Sequence, residues 1–407
     1  MTMKENYYFD NAATTWPKPE RVYTYMDEFY RSYGVNPGRS GHEMAVEAER
    51  MINETRRLLG QFFNFSGGSE RVVFTQNATD SLNIALSGIL KPGDHAISTR
   101  IEHNSVIRPL NHLERDGQVA VTRVNHDEQG YVDPEEIRAA LRPETKVIVV
   151  NHASNVLGTV QDVAAIGRIA REANVTFIVD SCQSAGVLPV DMAAMGIDIL
   201  VFTGHKGLFG PMGIGGLVVG ENIEIPPARV GGTGVDSITP FQPDAYPFHL
   251  EAGTVSLPGI AGLNAAQKWF ADLGRDQLGD DANDKSHAEL CSAALAQIEA
   301  RELGHVNALA TAFRAIDGVK VYGPQNGSHR VATLSMNIGA LPADQVGTML
   351  DADYGVCVRP GLHCAPLVHE DANTVPQKGT VRFSPGYFTD AEDIAQAIEA
   401  VTELAEM

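Results

Sequence analysis

Lys206 and Asp180 are the residues best placed to do chemistry, because each comes directly after an apolar, strand-like run. Lys206 lies in TGHKGLFGPMGIGG (203–216), and Asp180 closes the run TFIVD. A lysine is rarely buried unless it is paired or chemically used, and a partly buried lysine can form a Schiff base. A carboxylate facing a ring nitrogen completes what pyridoxal phosphate needs to act as an electron sink for a carbanion. The pair therefore predicts a pyridoxal-phosphate site.

Further polar side chains follow the ends of neighbouring apolar runs. In an open parallel sheet, ligands bind beyond the carboxyl ends of the strands, so we expect these side chains to meet at one edge. For Asn77 and Asp80 the alternative is an ordinary helix cap. The glycines within 207–216 do not indicate a dinucleotide site, because they follow the lysine and do not open a helix. The residues expected at this edge are Asn77, Ala78, Thr79, Asn155, Asp180, Gln183, Thr203, His205 and Lys206.

Cys364 is the cysteine that decides between possible reactions. It lies in RPGLHCAP (359–366), where the glycine and the prolines indicate an exposed loop. The neighbouring Arg359 and His363 are expected to favour its thiolate form. Most isolated loop cysteines have no function, so this one needs support from the rest of the site.

The other three cysteines are less suited to act as a nucleophile. Cys357 lies in an apolar, strand-like run and is expected in the core, Cys291 falls on a predicted helix, and Cys182 is ambiguous. The four cysteines contain no close C-x-x-C pair and form no disulfide framework in a chain of 407 residues. Reduced thiols and a cytoplasmic location are therefore expected.

The elements that must position these residues alternate between strand-like and helix-like segments. Short apolar runs rich in β-branched residues are separated by stretches with apolar residues at helical spacing. This alternation predicts βαβ units and a mostly parallel sheet with covered faces, the α/β class. The predicted strands lie at 71–76, 95–99, 146–152, 176–183 and 198–206, and the predicted helices at 77–90 and 160–175.

The pattern changes after about residue 260, where a helical stretch runs to about residue 312. Strand-like segments at 319–323 and 331–338 and a last helix at 390–406 follow, which together predict a smaller α+β domain. We therefore expect an N-terminal segment that packs on the small domain (1–15), a large cofactor-binding domain (16–260) and a small domain with the cysteine loop (261–407).

Composition excludes several classes of partner. Lys and Arg number 31 against 51 Asp and Glu, for a net charge of −20, whereas a nucleic-acid or anionic-membrane surface needs the opposite sign. No apolar run approaches the length of about 20 residues that crosses a bilayer. The start, MTMKENYYFDNAAT, lacks the apolar stretch of a secretory signal. The histidines at 103, 205, 363 and 369 do not match a metal-ligand spacing such as H-E-x-x-H.

Eight segments, in order, resemble one family. The chain resembles the cysteine desulfurase and selenocysteine lyase branch of the class V aminotransferases, and the RxGxHCA pattern around Cys364 is typical of the second group of these enzymes. The resemblance implies the fold type I architecture of pyridoxal-phosphate enzymes. Leu362 departs from the pattern, since a histidine is common there. The segments are YFDNAATTWP (8–17), NPGRSGHEMA (36–45), IEHNSVIRP (101–109), NHASNVLGT (151–159), VDSCQSAG (179–186), FTGHKGLFGPMGIG (202–215), EAGT (251–254) and VRPGLHCAP (358–366).

The resemblance implies a role for each residue around the cofactor ring. Lys206 would carry the Schiff base and move the Cα proton. His103 would stack on the ring and act as an acid or base, and its alternative is a capping or core histidine after the strand HAIST (95–99). Asp180 would keep the ring nitrogen protonated, and Asn155 and Gln183 would donate to the phenolic oxygen.

The resemblance also implies how the phosphate is held. A phosphate favours donors at a helix N-terminus, which Ala78 and Thr79 would supply together with Thr203 and His205. In this family a threonine of the partner subunit often completes the phosphate site, and Thr254 is the matching position. A homodimer with shared active sites follows from that match.

The substrate side of the site is likewise implied by resemblance. Arg382 in GTVRFSPGYF matches the arginine that pairs with the substrate carboxylate, and a bidentate contact of this kind fixes the orientation of Cα. Its alternative is a surface salt bridge. Arg359 would act on substrate or on the thiol, and Asn155 would also contact substrate. Cys364 occupies the position of the family's persulfide-forming cysteine.

The implied activity is that of a cysteine desulfurase, which converts L-cysteine to L-alanine and leaves sulfur on Cys364 for an acceptor protein. Two enzymatic alternatives use the same site: a selenocysteine lyase, which depends less on this thiol, and another carbon–sulfur lyase or aminotransferase, which does not need it. A catalytically silent homologue that acts only as a binding partner is the non-enzymatic alternative. An acceptor that docks by charge would present a basic patch to this acidic chain.

Overall fold

The computed structural model describes residues 6–38, 41–325, 327 and 329–407. Arg39 and Ser40, which belong to the 36–45 segment, lie outside the described residues. The first elements are a short strand and two helices: β1 (Tyr7–Tyr8), α1 (Glu20–Tyr33) and α2 (Glu43–Phe62). The described part of the chain also contains three short 3₁₀ helices, at Ser69–Arg71, Gly279–Ala282 and Val375–Gln377.

A seven-stranded sheet forms the centre of the molecule, in the order β2-β8-β7-β6-β5-β3-β4. Strands β4, β3, β5, β6 and β7 run parallel, while β8 pairs antiparallel with both β7 and β2. The predicted α/β class with a mixed, mostly parallel sheet is confirmed. The strands are β2 (Val72–Thr75), β3 (His95–Thr99), β4 (Ala120–Val124), β5 (Thr145–Asn151), β6 (Thr176–Asp180), β7 (Ile199–Thr203) and β8 (Gly215–Val219).

Helices cover both faces of this sheet, which explains why its central strands are apolar on both sides. One core packs α2 and α6 on one face, around Leu59, Ile166 and Phe177. The other packs α3 and α4 on the opposite face, around Leu86, Leu110 and Ile178. The helices between the strands are α3 (Ala78–Ile89), α4 (Asn104–Arg115), α5 (Pro134–Ala139), α6 (Val163–Ala173) and α7 (Met192–Met195).

The predicted helical stretch after residue 260 is two long helices, α8 (Leu257–Leu278) and α9 (His287–Arg314). α8 and the first half of α9 bury Phe270 and Ile298 in the core of the large sheet. The second half of α9 buries Phe313 in a separate core with the C-terminal strands. Because α9 contributes to both cores, the domain boundary at residue 260 stays a prediction.

A four-stranded sheet in the order β12-β13-β10-β9, with antiparallel neighbours, forms the C-terminal part. β1 pairs in parallel with β11, and Phe9 packs in the core of this part. Within the described residues, no helix is long and apolar enough to cross a membrane. The elements are β9 (Val319–Tyr322), β10 (Leu334–Ile338), α10 (Ala343–Tyr354), β11 (Val356–Cys357), β12 (Arg359–Gly361), α11 (Pro366–Asp371), β13 (Thr380–Phe383) and α12 (Ala391–Glu406).

Candidate active site

A cavity of about 240 Å³ lies where the carboxyl ends of β5, β6 and β7 meet the small sheet. The ends of these strands and the cysteine loop thus face one space, although Asn151 at the end of β5 and Cys364 are 213 positions apart in sequence. Every residue assigned to the site from sequence lines this cavity, with the exception of Thr254. The lining includes Ala78, Thr79, His103, Asn155, Asp180, Gln183, Thr203, His205, Lys206, Arg359, Cys364 and Arg382.

Thr254 lies elsewhere, in a smaller cavity that Asp80 and Arg229 also line. The Arg229 Nη2 atom lies 3.1 Å from the Asp80 Oδ2 atom. Within one subunit, Thr254 is therefore separate from the residues near Lys206. A role for it in the phosphate site requires a second subunit, and the homodimer stays a prediction.

The backbone that carries Lys206 is fixed by the N-terminal segment. The His205 carbonyl accepts hydrogen bonds from the Thr15 amide at 3.1 Å and from the Lys18 ammonium at 3.1 Å. The Lys206 carbonyl accepts one from the Thr15 hydroxyl at 3.0 Å. Burial lowers the pKa of Lys18 to about 8. These contacts hold the turn after β7 in place, so the lysine projects from a rigid base.

Asp180 and Gln183 lie on the turn that follows β6. Asp180 is 5% exposed, and its Oδ1 atom accepts a hydrogen bond from the Cys182 amide at 3.0 Å. The Gln183 side chain donates to the Ala12 carbonyl at 3.0 Å. A buried carboxylate at this strand end suits a cationic ring nitrogen, since burial is costly for a charge without a partner.

His103 caps the N-terminus of α4 with its imidazole ring. The Nδ1 atom accepts from the Ser105 amide at 3.0 Å, which leaves the proton of the neutral ring on Nε2. Burial, and then the charge of Lys206, lower the pKa of His103 to about 4. The ring is therefore uncharged at neutral pH, and a neutral aromatic ring is suited to stacking on an aromatic cofactor.

The site has buried polar atoms that form no hydrogen bond with any of the described residues. Asn155 Oδ1, Thr203 Oγ1, His205 Nδ1 and Arg382 Nε all belong to side chains of the cavity lining. Buried polar atoms normally have partners, so these atoms indicate a ligand rich in donors and acceptors.

The N-terminus of the 12-residue helix α3 opens into the same space. Its cap, Asn77, uses its side chain to accept from the Asp80 amide, so the helix-capping interpretation of Asn77 is correct. The first amides of the helix, at Ala78 and Thr79, have no acceptor within the helix and suit an anionic group. A phosphorylated aromatic cofactor with Schiff-base chemistry fits these groups together with Lys206 and Asp180.

Arg382 is buried beneath the cavity, with only 2% of its side chain exposed. Its Nη2 atom donates to Asp10 Oδ1 at 2.7 Å, and its Nη1 atom donates to the Asn155 carbonyl at 3.0 Å. Arg359 approaches the same carboxylate, with Nη1 3.7 Å from Asp10 Oδ2. The interpretation of Arg382 as a surface salt bridge is therefore wrong. Sequence reasoning missed Asp10, although it stands in the YFDNAATTWP segment.

Cys364 is the exposed cysteine among the four, as its loop predicts. It lies in a tight turn after β12, where His363 and Cys364 both adopt the left-handed conformation, with φ of 48° and 58°. Two hydrogen bonds hold this turn against the large sheet. The Cys364 carbonyl accepts from the Asn104 amide at 2.7 Å, and the His363 carbonyl accepts from the Asn155 side chain at 2.6 Å.

His363 is neutral, which corrects one expectation about the thiol. Its ring is buried, and Nε2 lies 3.0 Å from the Thr380 hydroxyl. Burial holds the pKa of His363 well below its ordinary value, so the ring adds no positive charge near Cys364 at neutral pH. Arg359, with its side chain about half exposed, is the cation that remains on this loop.

The other cysteines are poor nucleophiles by comparison. Cys182 lines the cavity, but burial raises the pKa of its thiol well above the ordinary value. Burial raises the pKa of Cys291 to about 12. Cys357 lies on β11, in agreement with its predicted strand, but it is only partly buried, so its expected place in the core is wrong. Cys364 is thus the cysteine that combines exposure with a place at the cavity.

Residues 7–397 match the family described as aminotransferase class-V. The chain belongs to this family. A probable cysteine desulfurase of Methanothermobacter thermautotrophicus is 34% identical to it, over 100% of this chain and 96% of the relative. The cysteine desulfurase of Haloferax volcanii is 30% identical, over 98% of this chain and 89% of the relative.

Solved structures agree with this class-V aminotransferase assignment. The apo structure of the cysteine desulfurase from Thermococcus onnurineus NA1 superposes with a TM-score of 0.87. It is 29% identical, and the match covers 98% of this chain and 94% of that one. The class-V family implies pyridoxal phosphate as cofactor, in agreement with the donors and acceptors of the cavity.

Proposed function

We propose that this class-V aminotransferase is a cysteine desulfurase that transfers the sulfur of L-cysteine to Cys364 as a persulfide. The observation that carries the proposal is the placement of Cys364. Its exposed thiol lies on a turn that is hydrogen-bonded to the start of α4 and lines the same cavity as Lys206. An aminotransferase that exchanges amino groups has no use for a thiol held there.

The cofactor would be held by groups already arranged around the cavity. Asp180 would pair with the ring nitrogen, His103 would stack on the ring, and Asn155 and Gln183 would hydrogen-bond the phenolic oxygen. Pyridoxal phosphate supplies the electron sink that stabilises negative charge on the Cα atom of a bound amino acid. Phosphate would lie against the amides of Ala78 and Thr79, where the N-terminus of α3 favours an anion, together with Thr203 and His205.

The substrate would be oriented by its carboxylate. Arg382 is buried with one nitrogen, Nε, lacking a partner among the described residues, and Arg359 lies close by. A carboxylate bound there would place Cα toward Lys206 and the side chain toward Cys364. The Lys206 amine would then accept the Cα proton and later return a proton to the product.

The sulfur step uses the Cys364 thiolate as nucleophile. As its Sγ atom attacks the substrate sulfur, an S–S bond forms and the Cβ–S bond breaks. The electron pair of the broken bond stays with the three-carbon fragment, which takes up the proton released by the thiol and leaves as alanine. The balance is L-cysteine plus thiol to L-alanine plus persulfide, with no external oxidant or reductant.

Two features of this proposal concern partners. A sulfur-acceptor protein would remove the outer sulfur from Cys364, whose exposure allows access from solvent. Thr254, which lies outside the cavity of its own subunit, would complete the phosphate site of the other subunit in a homodimer.

Product analysis with two substrates tests the proposal. Purified holoenzyme is given L-cysteine or L-selenocysteine, and alanine, pyruvate, sulfide and selenide are measured for wild type, Cys364→Ser and the matched thiol control Cys357→Ser. Alanine from cysteine, lost in Cys364→Ser and kept in Cys357→Ser, supports a desulfurase. Alanine from selenocysteine alone, unaffected by Cys364→Ser, would instead identify a selenocysteine lyase, and pyruvate in place of alanine would identify β-elimination.

A further inference from the structure

Asp10 lies between the two arginines of the substrate side of the site. Its Oδ1 atom accepts from Arg382 Nη2 at 2.7 Å, and its Oδ2 atom lies 3.7 Å from Arg359 Nη1. Both arginines line the cavity, whereas Asp10 contacts them from the N-terminal segment. One carboxylate thus faces two guanidinium groups.

The backbone around Asp10 is firmly held. Asp10 forms an isolated parallel bridge with Ser384, directly after β13. The Phe9 amide donates to the Cys357 carbonyl at 2.8 Å, and the Ala12 amide donates to the Ser384 hydroxyl at 3.0 Å. The position of the carboxylate is therefore set by the small sheet, and not by a mobile chain end.

The charges of the cluster formed by Asp10, Arg359 and Arg382 do not cancel. Arg359 and Arg382 contribute two positive charges and Asp10 one negative charge, which leaves one positive charge in excess. Lys206 and Asp180 serve the cofactor, and the nearby imidazoles add nothing, because burial lowers the pKa of His103 to about 4 and that of His363 well below its ordinary value. One carboxylate of an amino acid neutralises the excess charge.

We propose that Asp10 is a positioning residue that leaves the substrate side of the site with a single excess positive charge. In this way it selects amino acids with one carboxylate over amino acids with a second anionic group. The proposal rests on the proposed function, since it needs the substrate carboxylate at Arg382. It extends that function to the class of substrate, because cysteine has one carboxylate and a side chain that is neutral when it binds.

The physical reason is the low effective dielectric of a partly buried site. A second anionic group on the ligand meets a cluster whose only excess charge is already neutralised, and the Asp10 carboxylate repels it. Substitution of Asp10 by asparagine removes the negative charge, keeps the shape and leaves an oxygen that accepts from Arg382. The substitution therefore changes charge with little change of geometry.

Binding of two amino acids that differ by one carboxylate tests the proposal. L-Alanine and L-aspartate are titrated into wild-type and Asp10→Asn holoenzyme, and the dissociation constants are read from the visible absorbance of the bound cofactor. We expect the affinity for L-aspartate to rise at least about tenfold relative to that for L-alanine in Asp10→Asn. Equal changes for both ligands, or no change, would overturn the proposal, because a residue that only orients Arg382 affects both alike. Asp344→Asn, at an exposed ion pair with Lys378, is the control for loss of one negative charge.

A second variant keeps the test decisive if Asp10→Asn does not fold. Arg359→Gln removes one positive charge and leaves the cluster neutral, so we expect weaker binding of both ligands and a larger loss for L-aspartate. Where Asp10→Asn folds, the double variant restores a single excess charge, and its selectivity should return to that of the wild type. If the ratio of the two dissociation constants does not change in this way with the net charge of Asp10, Arg359 and Arg382, the proposal is wrong. Alanine production from cysteine, measured in parallel, reports separately on the proposed function.

Discussion

The Asn104 amide donates a hydrogen bond of 2.7 Å to the carbonyl oxygen of Cys364. Asn104 is the first residue of α4 and follows His103, whereas Cys364 belongs to the turn after β12 of the small sheet. The bond joins the proposed nucleophile to the helix whose cap is the proposed stacking residue. Sulfur transfer needs the thiol near the cofactor, and this contact fixes the turn that carries it.

The first prediction concerns the second contact of the same turn. Asn155→Ala removes the donor to the His363 carbonyl and also the side chain proposed to contact the cofactor. We expect alanine formation in a single turnover to slow at least about tenfold, because the thiol is less well positioned. Asn283→Ala, which loses an exposed side-chain contact to the Asp280 carbonyl, is the control. An unchanged rate in Asn155→Ala would show that this contact does not position the thiol.

The second prediction concerns the backbone of Cys364. Its φ of 58° is disfavoured for a residue with a Cβ atom but is favourable for glycine. We therefore expect Cys364→Gly to be more stable than Cys364→Ala by about 1 kcal/mol, measured from the free energy of unfolding in urea. At an ordinary exposed position the alanine variant is the more stable one. A more stable Cys364→Ala would mean that the turn relaxes out of the left-handed conformation.

The third prediction concerns Glu302, a fully buried carboxyl on α9. Burial raises its pKa to about 8, with a hydrogen bond from the Tyr387 backbone acting in the opposite direction. Between the pKa of the unfolded chain and about 8, the folded chain holds a proton that the unfolded chain has lost, so this group costs stability as the pH rises through that window.

Glu302→Gln removes this cost. We expect the variant to gain stability relative to the wild type by at most about 1.4 kcal/mol for each pH unit between pH 5 and pH 8. Urea unfolding at both pH values measures the difference, and Glu128→Gln on the surface is the control. The same gain at both pH values would show that Glu302 is not protonated in the folded chain.

The fourth prediction concerns the buried ion pair of Arg56 and Glu251. Both side chains are 5% exposed, and two contacts of 2.7 and 2.8 Å join them. Glu251→Ala leaves an unpaired buried guanidinium and removes the acceptor of the Phe74 amide. We expect a loss of about 3–5 kcal/mol in the free energy of unfolding.

A double variant gives the control for this ion pair. Arg56→Met with Glu251→Leu removes both charges together, and we expect it to recover a large part of the loss. If the double variant is less stable than Glu251→Ala alone, the ion pair stabilises the folded protein in its own right, and not only because each charge neutralises the other.

Sequence reasoning reached the fold and the site wherever local pattern carries the signal. The apolar runs that end at Asp180 and before Lys206 mark central parallel strands, because such strands are buried on both faces. The turn residues around Cys364 mark an exposed loop, since glycine and proline restrict the backbone locally. These features depend on neighbours in sequence.

The remaining features depend on contacts across the chain. Asp10 meets Arg382 only because the N-terminal segment lies against β11 and β13, a pairing that spans 372 positions. The neutral state of His363 and the raised pKa of Glu302 follow from burial, which no residue type encodes by itself. Such properties appear only when the elements are packed.

The most direct test of the central claim is mass analysis of the peptide that contains Cys364 after the holoenzyme has reacted with one equivalent of L-cysteine and no acceptor. We predict one additional sulfur atom on Cys364, none on Cys182, Cys291 or Cys357, and an equal amount of alanine. Alanine formed in full while Cys364 carries no additional sulfur would contradict the account, because the sulfur would then leave by a route that does not pass through this thiol.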